Sequence, residues 1–296
     1  MALVVFAVCM VSYSGPMVKG ALNEGASPIS VALLRMLAAA LLMLPYEARQ
    51  CVRRHIPMKL TPAQWGLTAL AAAFLAAHYI TWITSLTGTS TFASVALVCT
   101  QPLFVAFFSY VLFRERTPRR ALPGALLALL GAVTIALSGL SGQEAQATGQ
   151  EALRSNLLAL AGAVLMAAHW LAGRQIRQTL AAEVYTPVLY LITALLLALC
   201  LPLSGGFRMP LSALPYMAGL VIGSTLLGHA VFAYALSGVS ANVISFALLG
   251  EPVGAMIFSM IFFGEVPTWP VALGGLLTLM GLALYLAFAG GEKQPA

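Results

Sequence analysis

The 296-residue sequence contains no aspartate. All nine carboxylates are glutamate, and with fifteen Lys and Arg they leave only 8% of the chain charged. A soluble domain carries about a quarter charged residues, because its surface must face water. A soluble fold is therefore excluded. With 60% hydrophobic residues and a mean hydropathy of +0.93, so is disorder. Lack of aspartate removes intramembrane aspartyl proteases and Asp-rich prenyl-transfer enzymes. HExxH, GxSxG and P-loop patterns are also missing, which removes zincin, Ser-hydrolase and phosphate-cradling chemistry. Cysteine is scarce: Cys9, Cys51, Cys99 and Cys200 lie far apart and form no CxxC. They read as small packing residues, outside any disulfide frame or metal site.

What is present is apolar runs of membrane-spanning length. Ten are predicted, at 2–22, 28–46, 62–85, 91–113, 121–139, 155–173, 184–203, 213–235, 242–263 and 270–289. Turn chemistry separates them, as at Asn23-Glu24-Gly25 and Ser204-Gly205-Gly206. The fold class expected is an all-α membrane protein with ten transmembrane helices. The first run lacks a basic leader and carries Lys19 near its end, so it does not read as a cleavable signal peptide. Eleven basic residues fall in loops on one side: Arg49, Arg53, Arg54, Lys59, Arg114, Arg116, Arg119, Arg120, Arg174, Arg177 and Lys293. Only Arg154 and Arg208 fall in loops on the other. The positive-inside rule then puts both termini in the cytoplasm, and the formal charge of +6 reports orientation rather than a nucleic-acid partner. Trp65, Trp82, Trp170 and Trp269 are expected near helix ends, as an interfacial belt.

The two halves of the chain match each other at an offset of 150. Pro102, Phe108, Ser109, Phe113, Glu115, Gly124 and Gly131 meet Pro252, Phe258, Ser259, Phe263, Glu265, Gly274 and Gly281. Ten of thirty ungapped pairs from 102 to 131 are identical. Matched Pro, Glu and Gly in one register are hard to obtain from Leu-rich chance. A unit of five helices is odd, so its second copy enters the membrane from the opposite side. Such an inverted five-plus-five repeat is a transporter architecture, since the halves supply inward-open and outward-open states of similar energy. An old duplication in a structural or enzymatic protein is the plainer alternative.

Gln101-Pro102…Phe113-Arg114-Glu115 and Leu249-Gly250-Glu251-Pro252…Phe263-Gly264-Glu265 resemble the paired signature of EamA-type transporters, in the drug/metabolite transporter (DMT) superfamily. Pro28 and Arg35 resemble the family's "P…R" pattern on the second helix. Within the family the chain looks most like YddG-type aromatic amino-acid exporters. The resemblance implies repeats at 1–139 and 155–289, a periplasmic linker at 140–154 and a cytoplasmic tail at 290–296. It also implies inner-membrane export of amino acids or related small metabolites without a cofactor. The sequence departs from the family on the first helix, where Ser12-Tyr13-Ser14 replaces the usual Trp, and at Gln101, where the second copy has Glu251.

Polar groups at membrane depth need a purpose, because an ionised side chain at the bilayer centre costs about 3 kcal/mol or more. Glu251 beside Pro252, and Gln101 beside Pro102, are either ligand contacts or clasps covering backbone groups that the prolines leave unpaired. His78, His169 and His229 lie within spans, each near aromatic residues. They are either helix-packing groups or members of a shared polar-aromatic cavity. No two have metal-ligand spacing on one helix. Lys19 is expected to snorkel to the interface. Arg35 is deeper and reads as packing, with substrate-carboxylate binding the alternative. Glu115 and Glu265 are expected to clasp loops. Gly124/Gly131 and Gly274/Gly281 mark close packing, either of a scaffold or of a dimer face, so monomer and dimer both stay open. The expected substrate site is His78, Tyr79, Gln101, His169, Trp170, His229 and Glu251. The competing readings are a sugar-nucleotide or organic-phosphate antiporter, which should carry more Lys or Arg at mid-depth, and a membrane enzyme, for which no catalytic spacing exists.

Overall fold

A computed structural model describes residues 2–114, 117–138, 149–228 and 250–289. Twelve α-helices cover the described chain: α1 (Ala2–Ser12), α2 (Ser14–Asn23), α3 (Pro28–Arg53), α4 (Pro62–Ser85), α5 (Thr91–Val98), α6 (Gln101–Phe113), α7 (Leu122–Ser138), α8 (Gly149–Arg177), α9 (Ala182–Leu199), α10 (Leu214–Ala218), α11 (Gly250–Phe263) and α12 (Trp269–Ala289). A π-helical segment, Gly219–Gly228, continues α10. No strand occurs among the described residues. Seven of the helical segments are long and apolar enough to cross a membrane, and the segments at Leu211–Leu227 and Gly250–Phe263 are shorter but equally apolar.

Local chemistry explains several helix starts. Ser27 caps α3, its Oγ accepting from the Ser30 amide at 3.3 Å, with Pro28 in the first turn, where its missing N–H costs nothing. At α4 the cap is reciprocal. Thr61 Oγ1 accepts from the Gln64 amide at 3.3 Å, and Gln64 Oε1 accepts from the Thr61 amide at 2.9 Å. Two expected single helices are broken. The first run bends at Tyr13, between α1 and α2, and the fourth at Cys99–Thr100, just before Gln101-Pro102. Pro102 accounts for the second break, since it has no N–H to continue the ladder of α5. The second run is longer than expected: α3 continues past Pro45 to Arg53, carrying part of the basic cluster.

The helix contacts follow the repeat. The counterparts α3 and α9, and α7 and α12, pair with each other, and α5 packs against α11. The α4–α8 pairing is matched by that of α1 with the π-helical segment, as a two-fold exchange of halves requires. The α7–α12 crossing shows the inversion directly. Along α7, Gly124, Ala128, Gly131 and Ile135 form one buried stripe, while Leu126, Leu130, Val133 and Leu137 on other faces are more than half exposed, as lipid-facing residues would be. A Cβ on Gly124 would sit 2.8 Å from the Gly281 carbonyl oxygen, and one on Gly274 2.8 Å from that of Gly131. Gly124 thus faces Gly281 and Gly131 faces Gly274, an antiparallel crossing of backbone on backbone. The glycine pairs are therefore used inside the chain, as scaffold.

Candidate functional site

Arg35 lies seven residues past Pro28, so about 10 Å along α3. It is only 4% exposed. Its Nε donates to Thr225 Oγ1 at 3.2 Å and its Nη1 to Ser14 Oγ at 3.1 Å. The guanidinium carbon stands 5.2 Å from the Tyr79 ring centroid and 6.0 Å from that of Trp82, within cation–π range of both. Arg35 thereby joins three elements of the first half (α2, α3 and α4) to the π-helical segment of the second. Thr225 is fitted for its part. Its hydroxyl donates to the Leu220 carbonyl five residues back at 3.1 Å, leaving a lone pair for Arg35. A 3.6-residue helix would not bring that carbonyl into line, and π-type stretches recur at functional sites for such reasons.

The aromatic wall comes from α4. His78 and Trp82, one turn apart, stack with planes 12° apart and centroids at 5.9 Å, and Tyr79 leans on both. His78 Nδ1 is 2.9 Å from the Gly162 carbonyl of α8. A carbonyl only accepts, so Nδ1 carries the proton and donates, which leaves Nε2 outside that bond. His169 makes the converse bond, its Nδ1 donating to the Ala71 carbonyl of α4 at 2.9 Å. Each histidine braces α4 against α8, and the two braces sit seven residues apart on both helices. Glu251 of α11, His78 and Tyr190 of α9 all lie within electrostatic reach of the Arg35 charge. Among the described residues Arg35 forms no ion pair; the only such pair is Arg54–Glu183, at 2.9 Å near the α3 and α9 termini.

The expected site is thus partly assembled. His78 and Tyr79 belong to the cluster, and Glu251 lies within range of its charge. Gln101 occupies the first turn of α6, and its Oε1 is buried without a hydrogen-bond partner among the described residues, so it does not clasp the Pro102 break with that oxygen. His169 is a brace. Trp170 is 46% exposed and makes no ring contact with the others among the described residues. His229 lies outside the described residues, as does Glu115. Trp82 does not join an interfacial belt: it is 6% exposed, inside the cluster, with its Nε1 buried and unpartnered. Lys19 does not snorkel either, since its Nζ donates to the Leu86 and Thr89 carbonyls just past the C-terminus of α4, where a cation is favoured. Glu265 does clasp a loop, its Oε1 accepting from the Thr91 amide at the start of α5 at 3.0 Å. The participants that sequence reasoning missed are Ser14, Trp82 and Thr225. Arg35 was the available signal, as a cation at depth with no acidic residue within two turns of it on its own helix. Ser12-Tyr13-Ser14, the departure on the first helix, supplies the Arg35 acceptor Ser14, while Tyr13 packs edge-on against Phe258 and Phe262 of α11. A groove of about 330 Å³ lies apart from this cluster, along one side of α8 at Gln150, Leu153, Arg154, Leu157 and Leu158.

No curated protein matches the sequence. Seventeen chains of solved structures match the fold. One, titled only "Crystal structure of protein", is 20% identical, with a TM-score of 0.65 over 98% of this chain and 97% of its own. That likeness shows a shared fold. The "EamA-like transporter family" description matches residues 1–137 and again 153–287, once for each half. A family of membrane transporters matched across nearly the whole length, on an apolar helical bundle with two-fold contacts between its halves, settles the affiliation: the chain belongs to the EamA-like transporter family of the DMT superfamily.

Proposed function

We propose that the protein is a ten-span facilitator of the cytoplasmic membrane that exports amino acids, those with large apolar or aromatic side chains included, or closely related small metabolites. The carrying observation is the buried cluster of Arg35, Tyr79, His78 and Trp82, bonded across the halves through Thr225. An apolar bundle needs no such group for packing, whereas a solute with a polar head and an apolar body matches aromatic walls around a few polar contacts. Rocking of one half against the other would open the cluster to alternate faces without a covalent step or nucleotide. Both termini lie in the cytoplasm on this reading, from the eleven basic residues on one side. Labelling from intact cells at Gln143→Cys but not at Lys293→Cys checks that orientation; the reverse pattern overturns it.

Reconstitution in liposomes tests the activity. Preloaded leucine or phenylalanine should drive counterflow of the labelled amino acid without ATP. A requirement for ATP, or counterflow of nucleotide sugars with none of amino acids, would exclude this function.

A further inference from the structure

Arg35 has more hydrogen-bonding capacity than its surroundings use. A guanidinium carries five N–H donors, and Arg35 spends two of them, on Ser14 and Thr225. The remaining N–H groups, including both on Nη2, meet no acceptor among the described residues. Its partners are two neutral hydroxyls and two ring faces, and no described carboxylate pairs with it. A buried charge left in that condition is expensive, because burial removes water and no described carboxylate comes within ion-pair distance to replace it, Glu251 of α11 lying in electrostatic range but unpaired with it. A second unsatisfied donor is close by: Trp82 Nε1 is buried without a partner among the described residues, on a ring centred 6.0 Å from the guanidinium carbon.

We propose that Arg35 and Trp82 form an oxyanion subsite that receives the carboxylate of the transported solute, a planar group able to accept from the free edge of the guanidinium. The inference rests on the transport reading and names the part of the solute that the cluster recognises. Arginine suits this role better than lysine because its planar fork matches carboxylate geometry. Bonding of Arg35 to Ser14 and Thr225 at once makes the subsite sensitive to the relative position of the halves. Parting them breaks the Thr225 bond and frees a further N–H for the solute. Tyr79 and the Trp82 face would cover the guanidinium and hold it oriented while the anion exchanges.

The test uses purified full-length protein in zwitterionic phosphatidylcholine, so that no lipid anion competes, with L-phenylalanine, L-phenylalaninamide and glucose 6-phosphate as probes. Thermal stabilisation and liposome counterflow are read separately. L-phenylalanine should raise the melting temperature of the wild type, and the amide, nearly the same shape but with the carboxylate replaced by a neutral amide, should not. Arg35→Gln should abolish the shift. Arg35→Lys, which keeps the charge if Arg35→Gln fails to fold, should raise the half-saturating concentration about tenfold, and Trp82→Phe should raise it several-fold. The proposal is overturned if the amide stabilises as well as the acid, if glucose 6-phosphate alone stabilises, if both Arg35 variants respond like the wild type, or if no probe gives a shift. Carboxylate-specific, Arg35-dependent stabilisation without counterflow would uphold the subsite and sink amino-acid export.

Discussion

Where α7 crosses α12, the two halves touch backbone to backbone. Where α3 meets the π-helical segment, they touch through an arginine and a threonine hydroxyl, with aromatic rings of α4 packed on the arginine. The first contact is built from Gly124, Gly131, Gly274 and Gly281, with Thr278 Oγ1 returned to its own Gly274 carbonyl at 2.8 Å, so that the seam holds no side-chain charge. It can hardly slide, because any displacement drives carbonyls into amides. The second contact is held by one hydrogen bond between the halves, from Arg35 to the neutral hydroxyl of Thr225, which can be broken and remade at modest cost while Ser14 and the α4 rings keep hold of the arginine. The same duplicated sequence has thus produced a seam without polar side chains to exchange and a seam made of them. The glycine seam is suited to anchoring the halves and the arginine seam to working between them.

That contrast is broken most decisively by filling the rigid seam. Gly131→Leu would place its Cβ against the Gly274 carbonyl and the Thr278 amide, neither of which can give way. The expected cost is about 3 kcal/mol, the upper part of the range for overpacking. It should be visible as a fall in folded, monodisperse protein and in melting temperature. A variant as stable as the wild type would show that the crossing is loose and that the contrast is false.

A smaller effect sharpens the comparison from within one half-to-half contact. The α4–α8 pair carries a side-chain brace at each end, His78 to Gly162 and His169 to Ala71. His78→Ala and His169→Ala should each cost about 1 kcal/mol, in line with interhelical hydrogen bonds in membranes. The two braces sit seven residues apart along each helix, roughly 10 Å, so the double variant should lose about the sum. Unfolding titrations of the singles and the double would check this. Strong non-additivity would mean that His78 acts through the Arg35 cluster rather than as a local brace.

Much of the scaffold was legible because lipid imposes simple demands. Every span must be apolar and internally hydrogen-bonded, so the ends of α4, α7 and α12 follow from hydropathy and punctuation to within a few residues. The glycine seam was readable as spacing, though not as a partner. The site was harder. His78, Tyr79 and Glu251 were singled out because polar groups at depth stand out against Ala and Leu. Trp82 was misplaced because tryptophan is equally at home in an interfacial belt and in a core. Lys19 was misplaced because sequence cannot show that the C-terminal end of α4, with Leu86 and Thr89 just beyond it, offers carbonyls within its reach. Thr225 gave no signal, because its role depends on a π-helical turn that leaves no mark in a 3.6-residue period.

Composition and the repeat by themselves determined that this chain lives in a membrane and is built twice over, because burial in lipid and an offset of 150 residues are written residue by residue. Tertiary structure alone decided which small residues face each other and which donors remain unpaired. Both depend on groups far apart in the chain, Arg35 and Thr225 being 190 residues distant, and a hydrogen bond across that gap exists only once the two halves have closed on each other.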